Sequence, residues 1–433
     1  MTAIPVDRDR LSTQFSGKTA KQRCPALLKR VYPGYQGGSP LTRRPMTLEL
    51  ALAGAGLAAW LYLLAARGGF WRANIRDETD FAPDPATWPT VAAVVPARNE
   101  ADVIGASLAG LLTQDYPEPL QAVLVDDQSE DGTADAARSA ASALNASDRL
   151  TLVEGKPLPQ GWTGKLWAMK QGVQVARQHS GTPRYLLLTD ADIAYDKGVV
   201  RRLVARAEAR GLVLTSLMVK LRCVSFAERA LIPAFVFFFQ MLYPFAWVNR
   251  KKSAMAAAAG GCMLVRSDAL EAAGGIEAIR SSLIDDCALG RSMKRQGPIW
   301  LGLTESAHSL RPYPSFADIR RMVARSAYDQ LNYSPLLLAG TVAAMALTYL
   351  LPPLLAVAGT GLAQVAALLT WALMTVAFYP IVRFYGLSPL WATALPVIAG
   401  CYMVFTVDSA LQHWRGKGGL WKGRVQARRA EAS

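Results

Sequence analysis

Tyr185 to Asp196 reads YLLLTDADIAYD. An apolar run stops abruptly at Thr189, and Asp190 and Asp192 follow with one residue between them. Side chains alternate along a strand, so both carboxylates can point to one side just beyond its C-terminal edge. Held together they repel and resist joint ionisation. A divalent cation removes that difficulty: Mg2+ and Mn2+ prefer oxygen ligands, and Mg2+ takes one or two protein carboxylates with the rest from water and phosphate. The pair fits a metal–diphosphate site; a solvated turn is the plainer alternative.

Outward from this stretch, strand-length apolar runs alternate with helical ones from Val91 to about Val219. VAAVVP (Val91–Pro96) precedes a helix near Asp102–Gln114, and QAVLVDD (Gln121–Asp127) one near Asp131–Leu144. LTLVEG (Leu150–Gly155) follows, and then a helix near Ala168–Gln178 leads into YLLLTDAD. A helix over Gly198–Ala209 leads to LVLTSLMV (Leu212–Val219). This alternation predicts a mostly parallel α/β sheet with its strand C-termini on one edge, where ligands bind. Two more strands end in polar groups there. VVPARNE (Val94–Glu100) stops at Pro96 and offers Asn99 and Glu100, and LVDDQSEDGT (Leu124–Thr133) offers Asp126 and Asp127. Carboxylates at this edge can accept from a ribose hydroxyl or a base N–H.

VPARNE, VDDQSEDGT, TDAD and a later acid pair, in this order and spacing, resemble family 2 glycosyltransferases with the GT-A fold, over about Val91 to Gln330. The wording of the motifs is most similar to the hopene-associated glycosyltransferases of that family. The resemblance implies a GT-A, Rossmann-like catalytic domain and assigns Asp127 and Glu100, with Pro96 and Asn99 beside them, to the nucleoside side of a nucleotide-sugar. It places Asp190 near the ribose or diphosphate and Asp192 on Mg2+ or Mn2+, with Asp190 alongside. Lys165, in GWTGKLWAMKQG (Gly161–Gly172), falls where the family often has Gly-Lys before a helix; a cation beside a diphosphate is electrostatically sensible.

The later pair, Asp285-Asp286, stands in LIDDCALGRSMKRQG (Leu283–Gly297). The family's usual wording is Glu-Asp, and Asp286 aligns with the catalytic base. Inverting transfer needs such a carboxylate to take the acceptor hydroxyl proton as the oxygen attacks the anomeric carbon opposite the leaving group. A helix N-cap doublet is the alternative for the same residues. Gly260-Gly261, before an apolar strand, fall beside the acceptor in the family. Processive members carry Gln-x-x-Arg-Trp after the base; here RMVARSAYDQLNYSP (Arg321–Pro335) has Gln330 but no Arg-Trp. That argues against a long-polymer synthase.

The rest of the chain points to a membrane. Of 433 residues 52% are hydrophobic and 18% charged, with mean hydropathy above zero, more apolar than a typical soluble protein. MTLELALAGAGLAAWLYLLAA (Met46–Ala66) is long enough to span a bilayer, which takes about 20 residues, and 67–90 reads as a linker. Phe226–Asn249 is apolar and aromatic with Arg250, Lys251 and Lys252 behind it, which suits a segment lying in the interface. Beyond the GT-A domain (91–335, containing 226–249), helices are expected at 336–358, 362–382 and 390–411, then a basic tail at 412–433. Three crossings would put that tail outside, and two with one re-entrant segment, which Pro352-Pro353 favours in the first, would keep it inside. Residues 1–45 read as disordered; their nine Lys and Arg sit against the positive-inside tendency if the middle of the chain is cytoplasmic. A true start at Met46 would resolve this.

The formal charge of +14 fits an anionic membrane surface better than nucleic acid, because many of the cations flank apolar segments. The five cysteines form no CxxC pair, which disfavours a zinc site or a disulfide framework. No GxGxxG follows the first strand, against a dinucleotide dehydrogenase. The apolar helices hold almost no ionisable residue except Asp408, against a transporter. The expected protein is a membrane-anchored, cytoplasm-facing inverting glycosyltransferase that moves a sugar to a lipid, hopanoid-related by resemblance. A polyprenyl phosphate or ceramide-like acceptor is the close rival, and a non-catalytic scaffold the distant one.

Overall fold

The expected alternation folds as one eight-stranded sheet. In the computed structural model residues 46–179, 181–416, 420–421 and 424–425 are described; the expectations for 1–45 and for most of 412–433 fall outside them. The chain divides into units 1–49 and 50–433, and the sheet, its packing and the cleft described below belong to the second. The strands are β1 (Val91–Ala97), β2 (Gln121–Asp126), β3 (Leu150–Glu154), β4 (Tyr185–Thr189), β5 (Ile193–Tyr195), β6 (Leu214–Lys220), β7 (Cys262–Arg266) and β8 (Ile299–Ser309), in the spatial order β3-β2-β1-β4-β7-β6-β8-β5.

The first half of the sheet is parallel, as read: β3, β2, β1 and β4 pair in one direction. The second half corrects the expectation of a mostly parallel sheet. β7 runs antiparallel to both neighbours, with Thr189 opposite Cys262 and Leu187 opposite Leu264, and β5 is antiparallel to β8. Between β6 and β7 the chain runs through the apolar helix Phe226–Leu242.

Burial follows the period of two. Val91, Ala93 and Val95 pack with Ile104, Leu108 and Leu111 of helix α1 (Ile104–Leu112) and Leu203 of helix α3 (Val199–Arg210) on one face. Ala92 and Val94 pack on the other face with Leu166 and Met169 of helix α2 (Gly164–His179). That helix rides very close to the sheet: a Cβ at Gly172 would stand 2.5 Å from Val94 Cγ1. Under β6 and β8, Arg206 and Asp77 are buried, 1% and 0% exposed. They pair at 2.8 Å, Arg202 reaches the second Asp77 oxygen at 2.7 Å, and the Arg206 guanidinium lies over the Trp300 ring.

Among the described residues five helices are long and apolar enough to cross a membrane: Leu48–Ala66, Phe226–Val248, Pro335–Ala358, Gly361–Phe384 and Pro389–Trp414. The Phe226–Leu242 helix opens with a capping box: Ser225 Oγ accepts from Glu228 N, and Glu228 Oε2 accepts from Ser225 N. It packs Leu231 and Phe237 into the core shared with the sheet. The irregularity expected at Pro352-Pro353 is a π-helical turn over Ala346–Leu350. Pro352 has no N–H for the Thr348 carbonyl, and that carbonyl accepts instead from the indole of fully buried Trp60 at 2.9 Å.

Candidate active site

The strand-end acids converge. A cleft of about 720 Å³ is lined by Pro96, Glu100, Lys165, Asp190, Asp192, Gly260, Gly261, Asp285 and Asp286. The two aspartates past β4 and the acid pair 95 residues later therefore open onto one space.

Lys165 is the hub. Helix α2 begins four residues earlier than the sequence suggested, so Lys165 stands in its first turn. A cation there opposes the helix dipole, and two carboxylates offset it. Its Nζ lies 2.7 Å from Asp190 Oδ1 and 3.1 Å from Asp285 Oδ2. Burial pulls the ammonium pKa down, but Asp190 and Asp285 outweigh it and the net shift is upward. The Asp190 carboxyl is pushed up by burial and by Asp192 and Asp285, with Lys165 acting against them.

Asp285 and Asp286 are the first two residues of the helix Asp285–Gln296; its N-cap is Ile284, so neither acid caps in the expected way. Asp286 instead accepts from Cys287 N at 2.6 Å and from Gly260 N at 3.0 Å. The second bond ties the helix to the glycine segment before β7. Burial, with Asp285 beside it, raises the Asp286 carboxyl to about 6, while Lys165 and the two N–H donors restrain the rise. A carboxyl poised there is a competent proton acceptor near neutral pH.

Asp192 is 7% exposed. Its Oδ2 accepts from Ser309 Oγ at 2.8 Å and from Arg311 Nε at 3.3 Å, and Arg311 Nη2 also donates to Glu100 Oε1 at 2.6 Å. Burial lowers the Arg311 pKa, but Asp192 and Glu100 carry it upward. Ser309 and Arg311 were not foreseen. The one signal for them is Arg311 standing between the end of a strand and two prolines, in SLRPYP.

The remaining expected residues lie outside the cleft lining. Asn99, at φ 50°, donates its N–H to Ser129 Oγ, and its Oδ1 accepts from Glu130 N. It fastens the β1 rim to the β2 rim. Asp127 is fully buried beneath that rim, and Arg98 Nη1 donates to its carbonyl. Gln330 exchanges hydrogen bonds with the Tyr243 hydroxyl. The cleft lining also includes the apolar side chains Met218, Phe235, Phe239 and Met322. Phe235 and Phe239 are one turn apart on a candidate membrane span.

Glu100, Asp190, Asp192, Asp285 and Asp286 all line the cleft, and Lys165 and Arg311 pair with four of them, Lys165 with Asp190 and Asp285 and Arg311 with Glu100 and Asp192, so carboxylates outnumber the cations paired with them. Among the described residues nothing hydrogen-bonds the second oxygens of Asp190 and Asp192. Two oxygens on the edge of an acid-rich cleft suit a hard divalent cation. Among the described residues no cluster of three His, Cys, Asp or Glu side chains forms a closed cage, so water or a ligand's oxygens would complete the shell.

Residues 89–304 match a family model described as "Glycosyltransferase like family 2". A mannosyltransferase from Pyrobaculum calidifontis, PcManGT, solved with GDP-Man and Mn2+, shares the fold at a TM-score of 0.53 and 20% identity, over 84% of this chain and 99% of its own. TarS from S. aureus aligns at 16% identity and a TM-score of 0.35, over 55% of this chain and 40% of its own. Glucosyl-3-phosphoglycerate synthase from M. tuberculosis aligns at 18% and 0.34, over 55% and 78%. No curated protein matches the sequence.

Proposed function

We propose, for a chain whose residues 89–304 are a glycosyltransferase family 2-like domain, that the cleft transfers a sugar from a nucleotide-sugar to the hydroxyl of a membrane lipid with inversion. The observation that carries this is the shared cleft: Asp192 and Asp286 line one space, whose lining also includes Phe235 and Phe239 of a candidate membrane span. The nucleoside lies on the Pro96–Glu100 side, over a rim shaped by Asn99 and underlain by Asp127. Asp190 and Asp192 hold Mg2+ or Mn2+, which when bound neutralises the leaving diphosphate. Lys165 adds positive charge at the same place. The acceptor lies against Phe235 and Phe239, beside Gly260 and Gly261; Gln330 acts there through Tyr243.

Asp286 takes the acceptor hydroxyl proton as the oxygen forms its bond to the anomeric carbon, and the old anomeric C–O bond breaks with its electrons going to the diphosphate. A poised base favours a hydroxyl acceptor over a phosphate monoester, which is already ionised at neutral pH and needs no base. The hopanoid-related skeleton rests on the sequence resemblance alone. The five apolar helices support membrane attachment, with the anchor at 46–66, the transferase unit over 91–335 and its cleft toward the cytoplasm.

The test is mass spectrometry of lipids from membranes with and without the full chain, given isotope-labelled nucleotide-sugars and either Mg2+ or Mn2+. A labelled lipid formed only with the protein is expected. No labelled lipid with any donor and either metal would overturn the reading.

A further inference from the structure

One guanidinium bridges two acids of the rim. Arg311 Nε lies 3.3 Å from Asp192 Oδ2, and its Nη2 lies 2.6 Å from Glu100 Oε1. Both acids are buried, while the Arg311 side chain is 31% exposed and lines the cleft. Glu100 stands just past β1 and Asp192 just past β4, its neighbour in the sheet.

The backbone around Arg311 is fastened, but its side chain is not. Leu310 N donates to the Asp192 carbonyl at 2.8 Å, and Tyr313 N donates to Oε1 of fully buried Glu228 at 2.7 Å. Pro312 between them fixes the chain further. Among the described residues every hydrogen bond of the guanidinium goes to Glu100 and Asp192. Nothing else in that set would hold it in place if Asp192 were taken by another cation.

That competition has a sign. Glu100 and Asp192 carry two negative charges, and Arg311 cancels one of them. A divalent cation arriving alone at Asp192 is drawn by less charge and repelled at close range by the guanidinium, in surroundings where burial strengthens such terms. A nucleotide diphosphate reverses the balance, because it brings negative charge to the metal and because an arginine fork pairs with phosphate oxygens.

Resting on the transferase reading, we infer that Arg311 is a resident counter-cation of the metal site. In the empty cleft it neutralises Asp192 and disfavours a lone metal ion. When the donor arrives, the guanidinium turns to the diphosphate and frees Asp192, so metal and donor bind as a pair. By linkage each then strengthens the other's binding through this one side chain.

The test is calorimetry on full-length protein in detergent, titrated with Mn2+ alone and then with UDP, GDP or dTDP premixed with Mn2+. Arg311→Met should bind Mn2+ alone at least about tenfold more tightly than wild type and the Mn2+–nucleotide at least about tenfold more weakly, within the usual range of such couplings. Arg311→Gln, also uncharged, should do the same, so the result does not hang on one variant folding. Arg311→Lys keeps the charge and should leave binding of Mn2+ alone close to wild type. An arginine that merely ties the rim together predicts the opposite, since a loosened rim weakens Mn2+ as well. Binding of Mn2+ alone that is unchanged or weaker in both uncharged variants overturns the proposal, and so does unchanged binding of the Mn2+–nucleotide. The two readings fail separately. A wild type that takes none of the nucleotides with Mn2+ removes the transferase reading, whereas nucleotide binding with no gain in Mn2+ affinity in the variants removes only the role of Arg311.

Discussion

Asp286→Asn separates the chemistry of the cleft from its architecture. At pH 7 a carboxyl with a pKa of about 6 is ionised in about nine molecules of ten, so the wild type already holds its base in working form. Removing a general base lowers turnover about 10²- to 10⁴-fold, or about 2.7–5.4 kcal/mol at about 1.36 kcal/mol per decade. Donor affinity should change little, because Asp286 bonds to Gly260 N and Cys287 N and not to the Asp192 rim. The amide oxygen of the variant can replace only one of those acceptors, and the orphaned N–H costs about 1–3 kcal/mol of stability.

The pH dependence runs in two directions. Activity needs the carboxylate and falls as pH drops through about 6. Stability moves oppositely. The folded pKa of about 6 lies above the unfolded 3.8, so the contribution of this carboxyl to folding is full below 3.8 and is lost as pH rises through 6. The variant lacks this titration, so its stability relative to wild type should improve between pH 4 and 7. Transfer assays from pH 5 to 8, calorimetric donor titrations and thermal melts of both proteins read all three effects. Turnover by the variant within tenfold of wild type, or wild-type turnover flat through pH 6, would refute the reasoning.

Asp192→Ala should weaken Mn2+-dependent nucleotide-sugar binding by at least about a hundredfold, beyond what outer-shell partners of a metal usually contribute. Calorimetry with and without Mn2+ decides it, and an unchanged metal-dependent isotherm removes Asp192 from the ligand set. Away from the cleft, Arg206→Met leaves Asp77 buried with Arg202 as its remaining side-chain partner. Breaking a buried pair costs about 3–5 kcal/mol, and the surviving Arg202 contact puts the expected loss near the lower end. A melting temperature within a degree or two of wild type would show that the pair stabilises little.

The acidic strand-end rim was legible because its information is local. A strand that ends in TDAD or VDDQSEDGT places its acids by the pleat alone, and Asp190, Asp192 and Glu100 all reached the cleft. Arg311 was hidden because its meaning lies in partners 119 and 211 residues away. Asn99 was legible as a rim residue, but its task is different: asparagine tolerates positive φ, and its amide laces two loops together. The direction of β7 was illegible for a third reason. A short apolar strand reads alike forwards and backwards, and the segment that brings the chain to it passes through an apolar helix long enough to cross a membrane.

The reversed strand also limits how the protein can vary. Cys262 and Leu264 of β7 face one core, and Met263 and Val265 the other. Gaining or losing a single residue here would swap the sides of all four and carry Gly260 away from the carboxylate it anchors. Loops around the rim escape this constraint, because a change in their length leaves the pleat of the strands as it was.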